Sequence, residues 1–363
     1  MNNIFVGQFV TEDESLKDKR ISQAGNNFQL KLIKMLSPKL SISLYPIFLQ
    51  SKAENNDTDF ITINNQYNLP YGLSKVVRML KDSIDAFKIL RKQKGNIFYY
   101  NIDKQNFLLI FFTKLFLSKK NFLILADYPY YENKSFFEKT CNFILKQLDG
   151  ILVLNSNIIV NSNQKTMPGL VEDKAIIIDR SKIIRKNVLL SGSLGFTTGL
   201  HVALETFSKK PEFNLFISGR PYDIEESEFN TLLSTYTKNH SNIKYFGLLS
   251  IQEYNELLND CDIALSLRNP EDVEHQYNFP SKILEYLSKS KIVVSTLQYK
   301  DIPSDFLFHC SFNSDSLSSI LDEIVMMENE AVFNLKEDIF EYLHNNFTEK
   351  KLKELCNELI SKC

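Results

Sequence analysis

The chain reads as an α/β protein built of two Rossmann-like domains, and three observations predict this. Its 363 residues suffice for two domains that each bury a core. Short β-rich runs alternate with amphipathic helical runs, the rhythm of parallel sheets covered by helices. Runs such as Ile151–Leu154 are apolar on both faces, as strands buried between two helix layers must be.

In the first half the pattern predicts strands at Ile4–Val6, Ser41–Leu49, Phe60–Ile63, Asn96–Asn101, Phe122–Asp127 and Gly150–Leu154, with amphipathic helices over Phe28–Leu36, Leu73–Leu90 and Phe136–Leu148. The apolar stretch Phe107–Leu125 is interrupted by Lys114, Ser118, Lys119, Lys120 and Asn121. A membrane-spanning helix needs about 20 mostly apolar residues, so the stretch reads as a buried helix over Phe107–Leu117, a turn and a buried strand. The second half restarts the rhythm, with strands at Asn187–Leu190, Phe213–Ser218, Ile243–Phe246, Asp262–Leu267 and Ile292–Ser295. Helices are predicted over Gly199–Ser208, Ile224–Lys238, Ser250–Asn259 and Pro280–Ser288; Ser250 and Glu253 have capping-box spacing.

The boundary is expected in the polar region Asn161–Asn187 around Pro168-Gly169, giving domains 1–165 and 166–345 that face one another across a cleft. In such sheets ligands sit at the carboxyl ends of the strands. The last segment, 346–363, carries Leu352, Leu355, Leu359 and Ile360 at helical spacing and is expected to pack back towards the first domain.

Composition narrows the function. Hydrophobic residues are 44% and charged residues 24%, which is globular rather than disordered, and a net charge of -2 supplies no field to recruit nucleic acid. Cys141, Cys261, Cys310, Cys356 and Cys363 form no paired motif and read as free thiols in a reducing cytoplasm. The N-terminus lacks the features of a signal peptide. His201, His240, His275, His309 and His344 show no metal-ligand spacing, so neither a metal nor a cofactor is expected. His275 reads either as a sugar contact or as a solvated loop residue.

The most informative stretch is Asn278-Phe279-Pro280-Ser281-Lys282-Ile283-Leu284-Glu285-Tyr286. Pro280 starts a helix at no hydrogen-bond cost and sets the free amides of the first turn, Ser281 and Lys282 at a positive helix end, a natural phosphate seat. Glu285, one turn on, suits a sugar or ribose hydroxyl. An ordinary surface helix with a weak Lys282–Glu285 pair fits the same residues.

This segment, followed by the strand Lys291–Thr296, resembles the donor site of the GT-B glycosyltransferase superfamily, most of all the retaining (family 4-like) branch of bacterial surface-polysaccharide enzymes. Further landmarks follow in order: Val188–Leu194 with Gly192 and Ser193, Asn214–Arg220, Tyr245–Ser250 with Phe246 and Gly247, and Cys261–Leu267. The resemblance implies the GT-B fold. It also implies transfer from a nucleoside-diphosphate sugar to a glycan or polyprenol-linked hydroxyl acceptor in capsule, exopolysaccharide or O-antigen synthesis. The diphosphate would lie on the helix at Pro280, Ser281 and Lys282, with Asn278 and Phe279 beside it. Glu285 would meet the ribose or sugar as a catalytic contact, and Phe246-Gly247 would line the nucleobase pocket.

Departures are specific. Tyr277 stands where the family often has the first glutamate of a Glu-x7-Glu pair, and Ser193 and Thr198 replace its phosphate-gripping arginine and lysine. Lys282 and Arg220 are then the candidate phosphate partners, although Arg220 equally fits a β-turn surface. In the first domain, Asp127 ends a buried strand before Tyr128-Pro129-Tyr130. It is the candidate to orient or deprotonate the acceptor, or a turn-starting residue. Gly7-Gln8-Phe9 is a further candidate to approach the donor. Lys75, Arg78, Lys81, Lys88, Arg91, Lys92 and Lys94 lie on one helix over 73–94, whose apolar side holds Val76, Val77, Met79, Leu80, Ile84, Phe87 and Ile89. Two readings fit: a solvated outer face, or peripheral contact with the inner face of the cytoplasmic membrane. A nucleotide-sugar 2-epimerase and a non-catalytic scaffold of the same fold are the rivals.

Overall fold

A computed structural model describes residues 3–11, 14–15, 20–46, 60–65, 71–130, 132–171, 186–278 and 281–362. Two compact units result: Met1–Pro168 with Glu349–Cys363, and Gly169–Thr348.

The first unit runs β1 (Asn3–Gly7), α1 (Gln23–Leu36), β2 (Leu40–Leu44), β3 (Phe60–Ile63), α2 (Tyr71–Lys92), β4 (Asn96–Tyr100), α3 (Phe107–Phe116), β5 (Asn121–Leu125), α4 (Phe136–Gln147), β6 (Gly150–Val153) and β7 (Gln164–Thr166). Among the described residues the strands form one parallel sheet in the order β3-β2-β1-β4-β5-β6-β7. Its order reverses between β1 and β4, the switch point that opens a crevice at the strand ends. Right-handed crossovers put α2, α3 and α4 on one face, and neighbours in that layer pack together.

The second unit runs β8 (Asn187–Leu194), α5 (Leu200–Ser208), β9 (Asn214–Pro221), α6 (Glu226–Asn239), β10 (Ile243–Tyr245), α7 (Ile251–Asn259), β11 (Ile263–Ser266), α8 (Glu274–Tyr277), α9 (Ser281–Ser288), β12 (Ile292–Ser295), β13 (Leu307–His309), α10 (Ser314–Met326) and α11 (Asn329–Asn346). Its parallel sheet has the order β10-β9-β8-β11-β12-β13, with the switch point between β8 and β11. The core collects Leu190, Leu204, Phe207, Leu215, Ile217 and Leu265 from strands and helices alike. Both units are thus Rossmann-like. The terminal helix α12 (Glu349–Ser361) buries Leu352, Cys356 and Leu359 and packs on β6 and β7 of the first unit. Asn163 Nδ2 donates to Leu359 O at 3.0 Å, and Lys165 pairs with Glu358. No helix among the described residues is long and apolar enough to cross a membrane.

Most predicted elements recur within a residue or two; the exceptions have physical causes. The strand expected over Ser41–Leu49 ends at Leu44, with Tyr45 N still donating to Ile63 O before Pro46, which has no N–H, stops the ladder; its residues 47–49 lie outside the described set. The strands β7 and β13, of three residues each, are too short to read from sequence.

One helix corrects its predicted burial, and a second divides its apolar stripe. The helix over Phe107–Leu117, expected to be buried, turns only Leu109, Ile110 and Thr113 inward and exposes Phe111, Phe112, Leu115 and Phe116. In α2, Ala86 and Leu90 are buried together with Arg78, Asp82 and Ser83, while Leu73, Val76, Leu80 and Ile84 are exposed beside Lys81, Lys88, Arg91 and Lys92. The cause is a buried ion pair one turn apart. Arg78 Nε lies 3.5 Å from Asp82 Oδ2, and Arg78 Nη2 donates to Tyr45 O at 3.1 Å. Asp82 Oδ1 accepts from Asn65 Nδ2 at 2.6 Å and from Asn65 N at 3.2 Å. Burial pushes the Asp82 carboxyl up and the Arg78 guanidinium down, and each partner opposes the shift of the other.

Removing one member of this pair leaves the other charge buried without its counter-ion. Asp82→Ala is expected to cost about 3–5 kcal/mol in urea unfolding, and the double change Arg78→Met/Asp82→Leu to recover much of that loss.

Candidate active site

In the second unit the site grows from the carboxyl ends of β8 and β9. These strands pair beyond the rest of the sheet, with Gly192 opposite Gly219 and Ser193 opposite Arg220. A Cβ on Gly219 (φ +147°) would stand 1.9 Å from Gly192 O, so the approach requires glycine. Gly219 N donates to Gly247 O at 2.9 Å and Ser218 Oγ to the same oxygen at 3.0 Å, tying the Phe246-Gly247 loop to the strand end. Gly247 has φ +69°. Phe246 is exposed and meets Phe216 edge-on, with centroids 5.7 Å apart.

Lys282, in the first turn of α9, reaches this strand end. Its Nζ donates to Ser191 Oγ at 2.9 Å and to Tyr254 OH at 3.2 Å, lies 4.6 Å from the Tyr254 ring centroid, and is 3.7 Å from Glu285 Oε2. Tyr254 OH donates to Glu285 Oε2 at 3.3 Å, and Ser191 Oγ is 2.8 Å from the buried Tyr286 OH. Burial pushes the Tyr254 hydroxyl up, so it stays protonated and keeps donating. Gly192 (φ +114°) makes room for the lysine stem, since a Cβ there would meet Lys282 Cε at 2.9 Å. Gly192, Lys282 and Glu285 are therefore brought together, and Ser193 and Arg220 lie side by side on the paired strands. Ser281 is exposed and Asn278, half-buried, caps α8. Phe279 and Pro280 lie outside the described residues.

Three residues of this cluster were not singled out from sequence: Ser191, Tyr254 and Tyr286. The capping box does form, with Ser250 Oγ accepting from Glu253 N and the Glu253 carboxylate accepting from Ser250 N. It puts Tyr254 one turn into α7, so that helix start was the available signal.

The loop between β8 and α5, where the resemblance leads one to look for an arginine and a lysine, is held by the chain's own groups. Asp223 Oδ2 accepts from Thr197 N at 2.6 Å, and a Cβ on Gly195 would collide with Asp223 Oδ1. Thr198 is buried, with its Oγ1 accepting from Gly195 N at 2.8 Å. This loop is closed by a carboxylate of the chain itself.

His275 is not a solvated loop residue. It is buried; Nδ1 must donate to Asn269 O at 3.0 Å, which leaves Nε2 to accept from Arg268 Nη1 at 3.3 Å.

In the first unit, Asp127 is exposed at the end of β5. Asn101, in a left-handed conformation (φ +52°), accepts from Ala126 N at 2.7 Å through Oδ1 and donates to Asp127 Oδ2 at 3.2 Å. Desolvation by crowding atoms pushes the Asp127 carboxyl up, against that one hydrogen bond; its exposure keeps it reachable and tempers the shift. Gln8 follows β1 at the switch point. It is fixed by Gln29, whose Oε1 accepts from Gln8 N at 3.0 Å, and by Asp103. Asp103 also accepts from Gln105 N at 2.8 Å, so that second carboxylate is committed to its own turn, while Asp127 is open.

No family model matches the chain, and no curated protein matches it in sequence. Solved structures share its fold over their full lengths. HepE of Anabaena in complex with UDP has a TM-score of 0.69 at 14% identity, covering 100% of both chains. The sucrose-phosphate synthase of Thermosynechococcus elongatus has 0.70 at 12%, again covering 100% of both. A glycosyltransferase of Rickettsia africae has 0.68 at 15%, covering 99% of each. The expected GT-B fold is therefore the fold observed.

The strand-end contact yields a stability test. Gly219→Ala is expected to destabilise the protein by about 1–3 kcal/mol, read as a lower urea midpoint at unchanged slope.

Proposed function

We propose that the protein is a glycosyltransferase that moves a sugar from a nucleoside-diphosphate sugar to a hydroxyl on a glycan or polyprenol-linked acceptor, in bacterial surface-glycan synthesis and with retention at the anomeric carbon. The observation that carries it is the meeting of Lys282, Ser191, Tyr254 and Glu285 at a helix start beside the glycine-lined end of β8. A departing diphosphate needs fixed donors and positive charge where its own charge develops. Lys282 and the first-turn amides of α9 supply both, with Arg220 and Ser193 as further partners. Glu285 meets the ribose or donor sugar. Phe246 and Gly247 flank the base, and no metal or other cofactor is used. Asp127 orients the acceptor hydroxyl or takes its proton. The reaction would run in the cytoplasm, at the inner face of the cytoplasmic membrane.

UDP in the HepE structures makes uridine nucleotides the first ligands to test. Calorimetric titration with UDP, GDP and their sugar conjugates is expected to show binding of one nucleotide class. Lys282→Ala should weaken it roughly 10–100-fold, the worth of a charge-assisted contact. Unchanged affinity in that variant would put the donor elsewhere. Turnover separates the rivals: conversion of donor without acceptor indicates an epimerase, and binding without product a scaffold.

The raised Asp127 carboxyl gives a pH signature. A base must be deprotonated, so kcat/KM should fall with decreasing pH through a midpoint above the usual carboxylate range. Asp127→Asn should remove that limb and lower turnover by about 10²–10⁴-fold while nucleotide affinity stays at the wild-type value. A limb that persists in the variant assigns it to another group.

A further inference from the structure

The helix layer formed by α2, α3 and α4 carries an outer surface that folding alone does not explain. Leu73, Val76, Leu80 and Ile84 run along α2; Phe111, Phe112, Leu115 and Phe116 cover the outer side of α3; Phe136 and Phe143 project from α4. These ten are half of the twenty exposed large apolar side chains among the described residues, and Phe136 reaches 86% exposure. The outward faces of α1, α6, α11 and α12 carry none of the twenty. Neighbouring helices of the layer pack side by side, so the residues form one field rather than scattered points.

The charge around this field is predominantly positive. Residues 71–94 hold seven lysines and arginines against two aspartates, and residues 104–120 hold four lysines and no acid, in a chain whose net charge is -2. The acids that are present pair with cations or cap their own helix, Glu132 with Lys134 at 2.8 Å among them. Asp82 is buried with Arg78, Asp85 lies 3.3 Å from Lys88, and Asp149 lies 2.8 Å from Lys114. Glu138 caps its own helix through Ser135. Lys81, Arg91, Lys92, Lys139 and Lys146 are exposed on the layer.

We propose that the α2–α3–α4 layer is a docking surface for an anionic lipid bilayer, with the leucines and phenylalanines entering the headgroup boundary and the lysines and arginines meeting lipid phosphates. An apolar face with a basic rim is the pattern that lies in a membrane interface. The net positive charge of the rim argues against a second copy of the chain: a two-fold contact through this face would set mostly cation against cation. The proposal rests on this surface alone and not on the donor reading.

Flotation with vesicles of phosphatidylcholine containing about one third phosphatidylglycerol, against pure phosphatidylcholine, tests it. The full chain is expected to float with the anionic vesicles only, and less so as salt rises. Leu80→Ser/Phe116→Ser and, separately, Lys81→Glu/Lys92→Glu should each weaken binding about tenfold or more. Met326→Ser, at a side chain equally exposed in the second unit, should bind like the wild type. All of these side chains are exposed, and unchanged circular dichroism and nucleotide titration show that each variant is folded. Failure of the wild type to bind anionic vesicles, or wild-type binding by both double variants, overturns the proposal. So does a dimer in light scattering that Leu80→Ser/Phe116→Ser dissolves, since a second copy would then cover the face. Absence of nucleotide binding in the wild type would sink the donor reading and leave this one standing.

Discussion

Where β8 and β9 run past the rest of their sheet, two backbones approach so closely that a Cβ on Gly219 would stand 1.9 Å from Gly192 O. Much of the candidate site depends on this contact. It keeps the strands paired out to Ser193 and Arg220, and it lets Gly219 N and Ser218 Oγ hold the Phe246-Gly247 loop through a single carbonyl. It also places Gly192 under the stem of Lys282, where a side chain would collide. The missing side chains thus position three segments far apart in sequence.

On that frame the electrostatics are simple. Lys282 and Glu285 form a partly exposed pair one turn apart, which is worth roughly 0.2–1 kcal/mol. A charge-assisted bond from the same lysine to a phosphate is worth about 1.5–3 kcal/mol. On our reading a donor phosphate wins that competition, and Glu285 is then released to a hydroxyl. In the loop before α5, Asp223 already occupies the Thr197 amide. Positive charge at the candidate site is accordingly carried by Lys282 and by Arg220 at the end of β9.

The alternation of strands and helices was legible because burial between helix layers forces continuous apolar runs, and α9 was legible because its start carries proline, serine and lysine in succession. Ser191 and Asp223 were not. Each acts through a partner distant in sequence, and neither residue type is unusual in its local context. His275 shows the same limit: its role is set by Arg268 and by a carbonyl six residues away, which no local pattern reveals. The orientation of α2 was left open for a further reason. Helical periodicity identifies an apolar stripe but not which way it points. Arg78 and Asp82, an ion pair at helical spacing with hydrogen bonds to Tyr45 and Asn65, share the inward side with Ala86 and Leu90.

That arrangement has an energetic meaning. A Leu, Ile or Val side chain gains about 1.5–3 kcal/mol on full burial, and α2 leaves four such residues exposed while enclosing a guanidinium and a carboxylate. A buried ion pair recovers little or nothing beyond its own desolvation, so for an isolated chain this orientation of the helix forgoes several kcal/mol. The phenylalanines of α3 and α4 add to the deficit on the same surface. Such an arrangement is favourable once the face meets an apolar phase. The lysines and arginines around it then select, among apolar phases, one bounded by negative charge. The same three helices that complete the first Rossmann-like layer thereby give the molecule a preferred side, with the apolar gain realised outside the fold rather than within it.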